Sequence, residues 1–311
     1  MRIDLTDTTS SDINKTLVSA RRALGTPTVG RVLTLLVVTD EEDAYDALRA
    51  AGDSAREHPA RILLVIRRTS RSPHHRALVR LDAEVRVGAD DAGAGEIVVL
   101  RLYGEVGRHA DSVVLPLLLP DVPVVAWWPY GAPENPAADP LGALARRRIT
   151  DAYASEDPLS FLGGLRRSYT PGDTDLAWTR LTLWRSTLAA ALDQVPGPVG
   201  SAVVESEADN PSAELLARWL GARLGVDVER VVTAGPVITA VRLGTAAGEL
   251  SVERPEGPLA TLALPGRPPR PLALKVRTLP ELLSEELRRL DPDEAYAEAL
   301  HARTVTEAAT S

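Results

Sequence analysis

In the first half of the chain, hydrophobic positions come in short uninterrupted runs separated by helix-like polar stretches. Arg31-Val-Leu-Thr-Leu-Leu-Val-Val-Thr39 and Arg61-Ile-Leu-Leu-Val-Ile-Arg67 are apolar throughout their interiors and rich in β-branched residues. That is the pattern of strands buried on both faces. Between them, residues 40–57 are Ala-rich with acidic residues leading, which predicts a helix capped by Asp40. The strand–helix–strand unit predicts a right-handed parallel crossover. Upstream, Ile13, Leu17, Val18 and Leu24 stand at helical spacing behind a Ser10 or Ser11 cap. Downstream, residues 81–87 largely alternate, a half-exposed strand, and residues 90–95 turn into a strand over 96–103. A helix over 109–119 and a strand over 122–128 complete an α/β pattern.

The second half changes character. A Pro-rich loop leads through Asp139-Pro-Leu-Gly142 to a short helix running into Arg146-Arg147-Arg148. Residues 155–169 and 176–193 read as successive helices, the second with Leu181, Trp184, Leu188 and Leu192 along one stripe. After the turn Val195-Pro-Gly-Pro198 comes a short strand at 202–205, then a helix over 211–224 with Asn210 as N-cap and Pro211 at N1. Short strands follow around Val228 and at 237–243, 249–252, 259–264 and 272–276, then helices at 280–290 and 293–300. The predicted fold is α/β. An N-terminal, mostly parallel sheet flanked by helices spans 1–169, and a smaller C-terminal α+β domain with a mixed sheet spans 170–311, beginning with the Trp/Arg helix.

Composition narrows the chemistry. The net charge of −8 argues against a surface that tracks nucleic-acid phosphates. The absence of cysteine removes disulfides, zinc–thiolate sites, thiol catalysis and thiol switches. No apolar run reaches membrane-spanning length, and the first residues lack the apolar core of a signal peptide, so a cytoplasmic protein without membrane attachment is expected. Lys15 and Lys275 are the only lysines, so cationic contacts fall to the planar, always-charged arginine fork.

Only 4% of residues are aromatic, yet Trp127, Trp128, Trp178 and Trp184 cluster in the central stretch. Trp and Arg are enriched at the energetic centres of protein–protein interfaces, which makes a binding protein the first reading. Trp127 and Trp128 end a strand and must face opposite ways, one toward the core and the other free to be exposed. Arg180 and Trp184, four apart, can stack on one helix face, with Asp175 capping that helix at Ala177 and Trp178. Trp184 lies on the apolar stripe, leaving Trp178, Arg180 and Arg185 as the better contact residues. Arg147, Arg148 and Asp151 can form an anion clamp, a salt-bridged interface or an exposed charged helix end. Gly104 and Gly107, between a strand and a helix, can cradle an anion or simply make a tight turn. Gly93-Ala-Gly95 precedes a strand and so reads as a hairpin, not a dinucleotide loop. His74 and His75 sit in a polar loop without a third ligand at metal spacing. No cofactor or metal site and no paired nucleophile and base emerge.

Several of these stretches resemble the OpcA family, the glucose-6-phosphate dehydrogenase assembly proteins of bacteria. The matching motifs are Gly30-Arg-Val-Leu-Thr34, Glu57-His-Pro-Ala-Arg61, Gly93-Ala-Gly-Glu96 through Gly104, and Leu119-Pro-Asp-Val-Pro-Val-Val-Ala-Trp-Trp-Pro129. Asp139-Pro-Leu-Gly142, Arg147-Arg-Ile-Thr-Asp151, Gly172-Asp-Thr-Asp-Leu-Ala-Trp-Thr-Arg-Leu-Thr-Leu-Trp-Arg185 and Leu287-Arg-Arg-Leu-Asp-Pro-Asp-Glu-Ala-Tyr296 complete the set. The resemblance implies a non-catalytic partner that binds glucose-6-phosphate dehydrogenase, promotes its assembly or activates it allosterically, and so controls NADPH supply. In some branches that control runs through cysteines of the OpcA chain; here Ala60 follows His58-Pro59 and no thiol exists to serve. A reading of another class, a sugar-phosphate-binding enzyme or sensor, would use Gly104, Gly107 and Arg146–Arg148.

Overall fold

The computed structural model describes residues 1–25, 30–68, 79–90, 93–235, 237–255, 257–303 and 306–308. His74 and His75 lie outside them. Two compact units form. The first comprises Met1–Asp151, Gly172–Thr174 and Leu279–Pro292; the second comprises Ala152–Pro171, Asp175–Thr278 and the chain from Asp293 onward. The helix Pro158–Ser168 buries Leu162 and Leu165 in the second unit's core, so this spatial partition differs from a cut in chain order at residue 169.

The first unit is built on an eight-stranded sheet. Its strands are β1 (Arg2–Leu5), β2 (Leu33–Thr39), β3 (Ala60–Arg68), β4 (Arg80–Asp90), β5 (Gly93–Tyr103), β6 (Val124–Trp127), β7 (Arg147–Thr150) and β8 (Asp173–Asp175). They run in the order β1-β4-β5-β3-β2-β6-β7-β8. The pairs β5/β3, β3/β2, β2/β6 and β6/β7 are parallel, while β1/β4 and β4/β5 are antiparallel. The two apolar runs become the central strands, with Leu35 opposite Ile62 and Val37 opposite Leu64. Helices Ser10–Leu24 and Ala44–Ala55 flank the sheet, and Ile13, Leu17, Leu36, Val65, Leu100 and Trp128 share one core. Thr9 caps the first helix, one residue before the expected serines, accepting from the Asp12 N–H at 3.2 Å. Gly93-Ala-Gly95 runs along a hairpin, pairing as Gly95 with Gly88 and Gly93 with Asp90.

The second unit has a mixed sheet of β9 (Val199–Ser206), β10 (Val228–Val232), β11 (Ile238–Thr245), β12 (Gly248–Glu253), β13 (Leu259–Ala263), β14 (Arg270–Ala273) and β15 (Thr306–Ala308), in the order β14-β13-β12-β11-β9-β10-β15. Only β9/β10 and β10/β15 are parallel. The helix Pro211–Leu224 falls where the sequence predicts it, its Asn210 cap accepting from the Ala213 N–H at 2.8 Å. It is buried along most of its length, and it brings Leu215, Leu216 and Leu220 into a core with Trp178, Trp184, Leu188 and Val241. Among the described residues no helix is long and apolar enough to cross a membrane.

Two segments depart from the helices their sequence pattern predicts. The three arginines do not end a helix: a single 3-10 turn, Gly142–Leu144, leads into strand β7, because the β-branched Ile149 and Thr150 suit a sheet position beside β6. Residues 176–193 do not form one helix either. They divide into Leu176–Thr179 and Thr182–Leu192, where the Leu181 N–H tightens onto the Trp178 carbonyl three residues back.

Candidate functional site

The Trp- and Arg-bearing stretches occupy the interior. Trp127 and Trp128 do face opposite ways at the end of β6, yet both are buried, at 0% and 1% exposure. Trp128 is held where its N–H donates to the Ile149 carbonyl at 3.0 Å. Its ring packs on the turn Asp139–Gly142, where a Cβ at Gly142 would collide with the Pro136 carbonyl and crowd the indole. Asp139 shapes that turn by accepting from the Leu141 N–H at 2.9 Å, and Arg67 clamps it bidentately at 2.9 and 3.0 Å. Among the described residues, neither indole Nε1 of this pair finds a hydrogen-bond partner.

On β7, Arg147 and Arg148 are buried on opposite sides of the strand and paired within the first unit. Arg147 pairs with Glu286 of the helix Leu279–Arg288 and donates to the Asp291 carbonyl at 2.8 Å. Arg148 pairs with Asp173 and donates to the Ala145 carbonyl at 2.7 Å. Gly172 allows this approach: its φ is +100°, and a Cβ would strike the Arg146 carbonyl. Asp151, also buried, closes the segment. A phosphate clamp on Arg147 and Arg148 would first have to displace carboxylates already in place. Gly104, at φ 58°, turns the chain out of β5 into a helix of only four residues, Glu105–Arg108, within which the Gly107 N–H donates back to the Gly104 carbonyl at 3.1 Å. So short a helix sums few peptide dipoles for an anion.

A third ionic cluster joins residues that lie far apart in the sequence. Glu96, fully buried, receives Arg61 at 2.7 Å, Arg31 at 3.2 Å and Arg21 at 3.3 Å. Burial lowers the Arg61 pKa and Glu96 opposes that shift. Arg31, Arg61 and Glu96 sit in three separate motifs, Gly30-Arg31, Glu57–Arg61 and Gly93–Glu96, which the parallel order β5-β3-β2 brings together, and Arg21 joins them from the helix Ser10–Leu24. The available signal was a charged residue inside an otherwise apolar strand pattern.

In the second unit, Asp175 caps the helix Leu176–Thr179, accepting from Ala177 at 2.8 Å and from Ala152 at 3.2 Å rather than from Trp178. Trp178 is buried, donating Nε1–H to Asp293 at 2.9 Å, with the Arg185 guanidinium 3.7 Å above its ring. Trp184 is buried on the stripe with Leu188, as expected. Arg180 does not stack on it. The tightened turn between the two helices sends Arg180 onto Tyr153, 4.6 Å from the ring centre, and Arg254 takes the place over Trp184 at 5.4 Å. Arg180 and Arg185 remain half-buried, and Tyr153 is exposed. Among the described residues no group of three or more His, Asp or Glu is arranged to hold a metal.

The fold and this interior together define a class: a two-unit α/β and α+β protein whose motif residues form a buried arginine–carboxylate–tryptophan framework. Residues 51–167 match the family model for the glucose-6-phosphate dehydrogenase subunit N-terminal domain, and residues 171–300 match that for its C-terminal domain. The chain belongs to the OpcA family of glucose-6-phosphate dehydrogenase subunits. No curated protein matches the chain. Among solved structures, KijD10, a 3-ketoreductase from Actinomadura kijaniata in complex with NADP and TDP-benzene, is similar at 10% identity over 91% of this chain and 100% of that one, with a TM-score of 0.48. An oxidoreductase from Sinorhizobium meliloti is similar at 12% identity over 88% and 86%, with a TM-score of 0.44. Likeness of that degree supports no statement about ligand or chemistry.

Proposed function

We propose that this chain is a non-catalytic assembly factor and allosteric activator of glucose-6-phosphate dehydrogenase, acting in the cytoplasm on NADPH supply. The observation that supports it is the match to both domain models of the family across most of the chain. Activation requires the chain to bind the active arrangement of the dehydrogenase more tightly than the inactive one. A tenfold shift of that equilibrium needs only about 1.4 kcal/mol of differential binding. One or two well-placed aromatic or arginine contacts supply that much.

The half-buried Arg180 and Arg185 are the direct contact candidates among the Trp and Arg residues of this region. The buried Trp127, Trp128, Arg147, Arg148, Asp151, Asp175, Trp178 and Trp184 serve by fixing the backbone that presents such contacts. Sedimentation of the dehydrogenase from the same source, with and without the chain, tests the reading. The expected outcome is a co-sedimenting complex with the dehydrogenase shifted to a larger assembly. Two independently sedimenting proteins would refute it.

A further inference from the structure

The second unit holds a small cavity of about 80 Å³, lined in part by Arg180, Leu181 and Trp184 and in part by residues outside the family motifs. Its walls carry Arg180, Arg254, Lys275 and Arg277 and, among the described residues, no carboxylate. A volume of that size takes several waters or one tetrahedral oxyanion.

Arg254 is the informative residue. It is only 6% exposed, at the end of β12, yet no acidic group pairs with it among the described residues. One guanidinium nitrogen donates to the Leu274 carbonyl at 3.2 Å, and the group lies 5.4 Å from the Trp184 ring centre. Every other strongly buried arginine of the second unit has a carboxylate: Arg218 pairs with Glu214 at 2.7 Å and Arg230 with the same Glu214 at 3.2 Å. A buried charge without a counter-charge is costly, and burial pulls the Arg254 pKa below its ordinary value. Three further cationic side chains line the walls. Arg277 is anchored by a hydrogen bond to the Thr179 carbonyl, and Arg180 is steadied over Tyr153, whose hydroxyl donates to Asn210 at 2.9 Å. Asn210 and Ser212 bring the N-terminal turn of the 14-residue helix Pro211–Leu224 to the cavity, with the positive end of its dipole.

We infer that this cavity is a binding site for the phosphate group of a small phosphorylated molecule, with Arg254 as its buried anchor and Arg180, Lys275 and Arg277 at its rim. Several cations around one small space favour a dianion over a single carboxylate, and an arginine fork matches the geometry of phosphate oxygens. The site needs no second protein, so its test is independent of the dehydrogenase.

Isothermal titration of the full chain with inorganic phosphate, with acetate in parallel, reads it directly. Saturable one-site phosphate binding is expected, with acetate at least tenfold weaker. Arg254→Met should weaken phosphate binding at least tenfold and Arg277→Gln several-fold. Arg242→Gln should leave it unchanged, because Arg242 is already surrounded by Glu205, Glu249 and Glu253. Thermal melts establish that each variant folds, and Arg277→Gln decides the matter if Arg254→Met does not. Absence of saturable phosphate binding, acetate binding as tightly as phosphate, or undiminished binding by a folded Arg254→Met or Arg277→Gln variant would overturn the assignment.

Discussion

Two buried arginines separate what holds this protein together from what is open to recognition. Arg61 lies in the first unit with Glu96 at 2.7 Å and two further arginines around the same carboxylate. Arg254 lies in the second unit, buried to a similar degree, against a tryptophan ring and a carbonyl, with no carboxylate among the described residues. The first is an ionic cluster built on a carboxylate of its own fold. The second faces a cavity of about 80 Å³ without a paired carboxylate of its own among the described residues. Burial alone therefore says little about an arginine's role; its counter-charge decides.

The sharpest way to break that contrast is to remove the ionic cluster's carboxylate. Glu96→Gln removes the carboxylate that three arginines share at a fully buried site, and a loss of about 3–5 kcal/mol is expected in urea unfolding. Gly172→Ala attacks the Arg148–Asp173 pair through the backbone. With φ at +100° and the Arg146 carbonyl in the way, a cost of about 1–3 kcal/mol is expected in the same assay. Arg254→Met should behave oppositely in phosphate-free buffer, between no change and a gain of about 1 kcal/mol, because it deletes a buried charge that no carboxylate pairs with among the described residues. Equal losses for Glu96→Gln and Arg254→Met would erase the distinction between the two arginines.

The smallest effect concerns acid. Hydrogen bonds from Arg80, at 2.8 and 3.0 Å, hold the Asp82 carboxyl below its ordinary value of 3.8. A pKa depressed in the folded state gives stability that is complete above the ordinary value and fades as pH falls through the folded one. Asp82→Asn should therefore lower stability slightly at neutral pH and flatten its decline in acid, which unfolding midpoints along a pH series will read.

The sequence pattern made much of the fold legible and less of the site. Continuous apolar runs identify β2 and β3 because a strand covered on both faces has no polar side to show. The helix Pro211–Leu224 is announced by its Asn210 cap and its proline at N1. Strands β1, β7 and β8 have three or four residues each, too short for any periodicity, and β7 hides under arginines that look solvent-bound. Those arginines are buried only because Glu286 and Asp173, far along the chain, come to meet them. The partner of Arg180 is hidden for a similar reason: one i to i−3 hydrogen bond at Leu181 interrupts the helical spacing on which a Trp184 stack depends. Arg254 gave no signal at all, since a lone arginine after a strand is ordinary until its surroundings are known.

The proposed function meets its most direct test in a kinetic titration. The chain is added to glucose-6-phosphate dehydrogenase from the same source at subsaturating glucose 6-phosphate, and initial NADPH formation is followed for the parent and for Arg180→Ala and Arg185→Ala together. The expected result is a saturable rise in rate with the parent chain, no turnover by the chain alone, and a markedly weaker rise with a folded double variant. An unchanged rate across the titration, with no complex on a sizing column, would contradict the assignment as an activator.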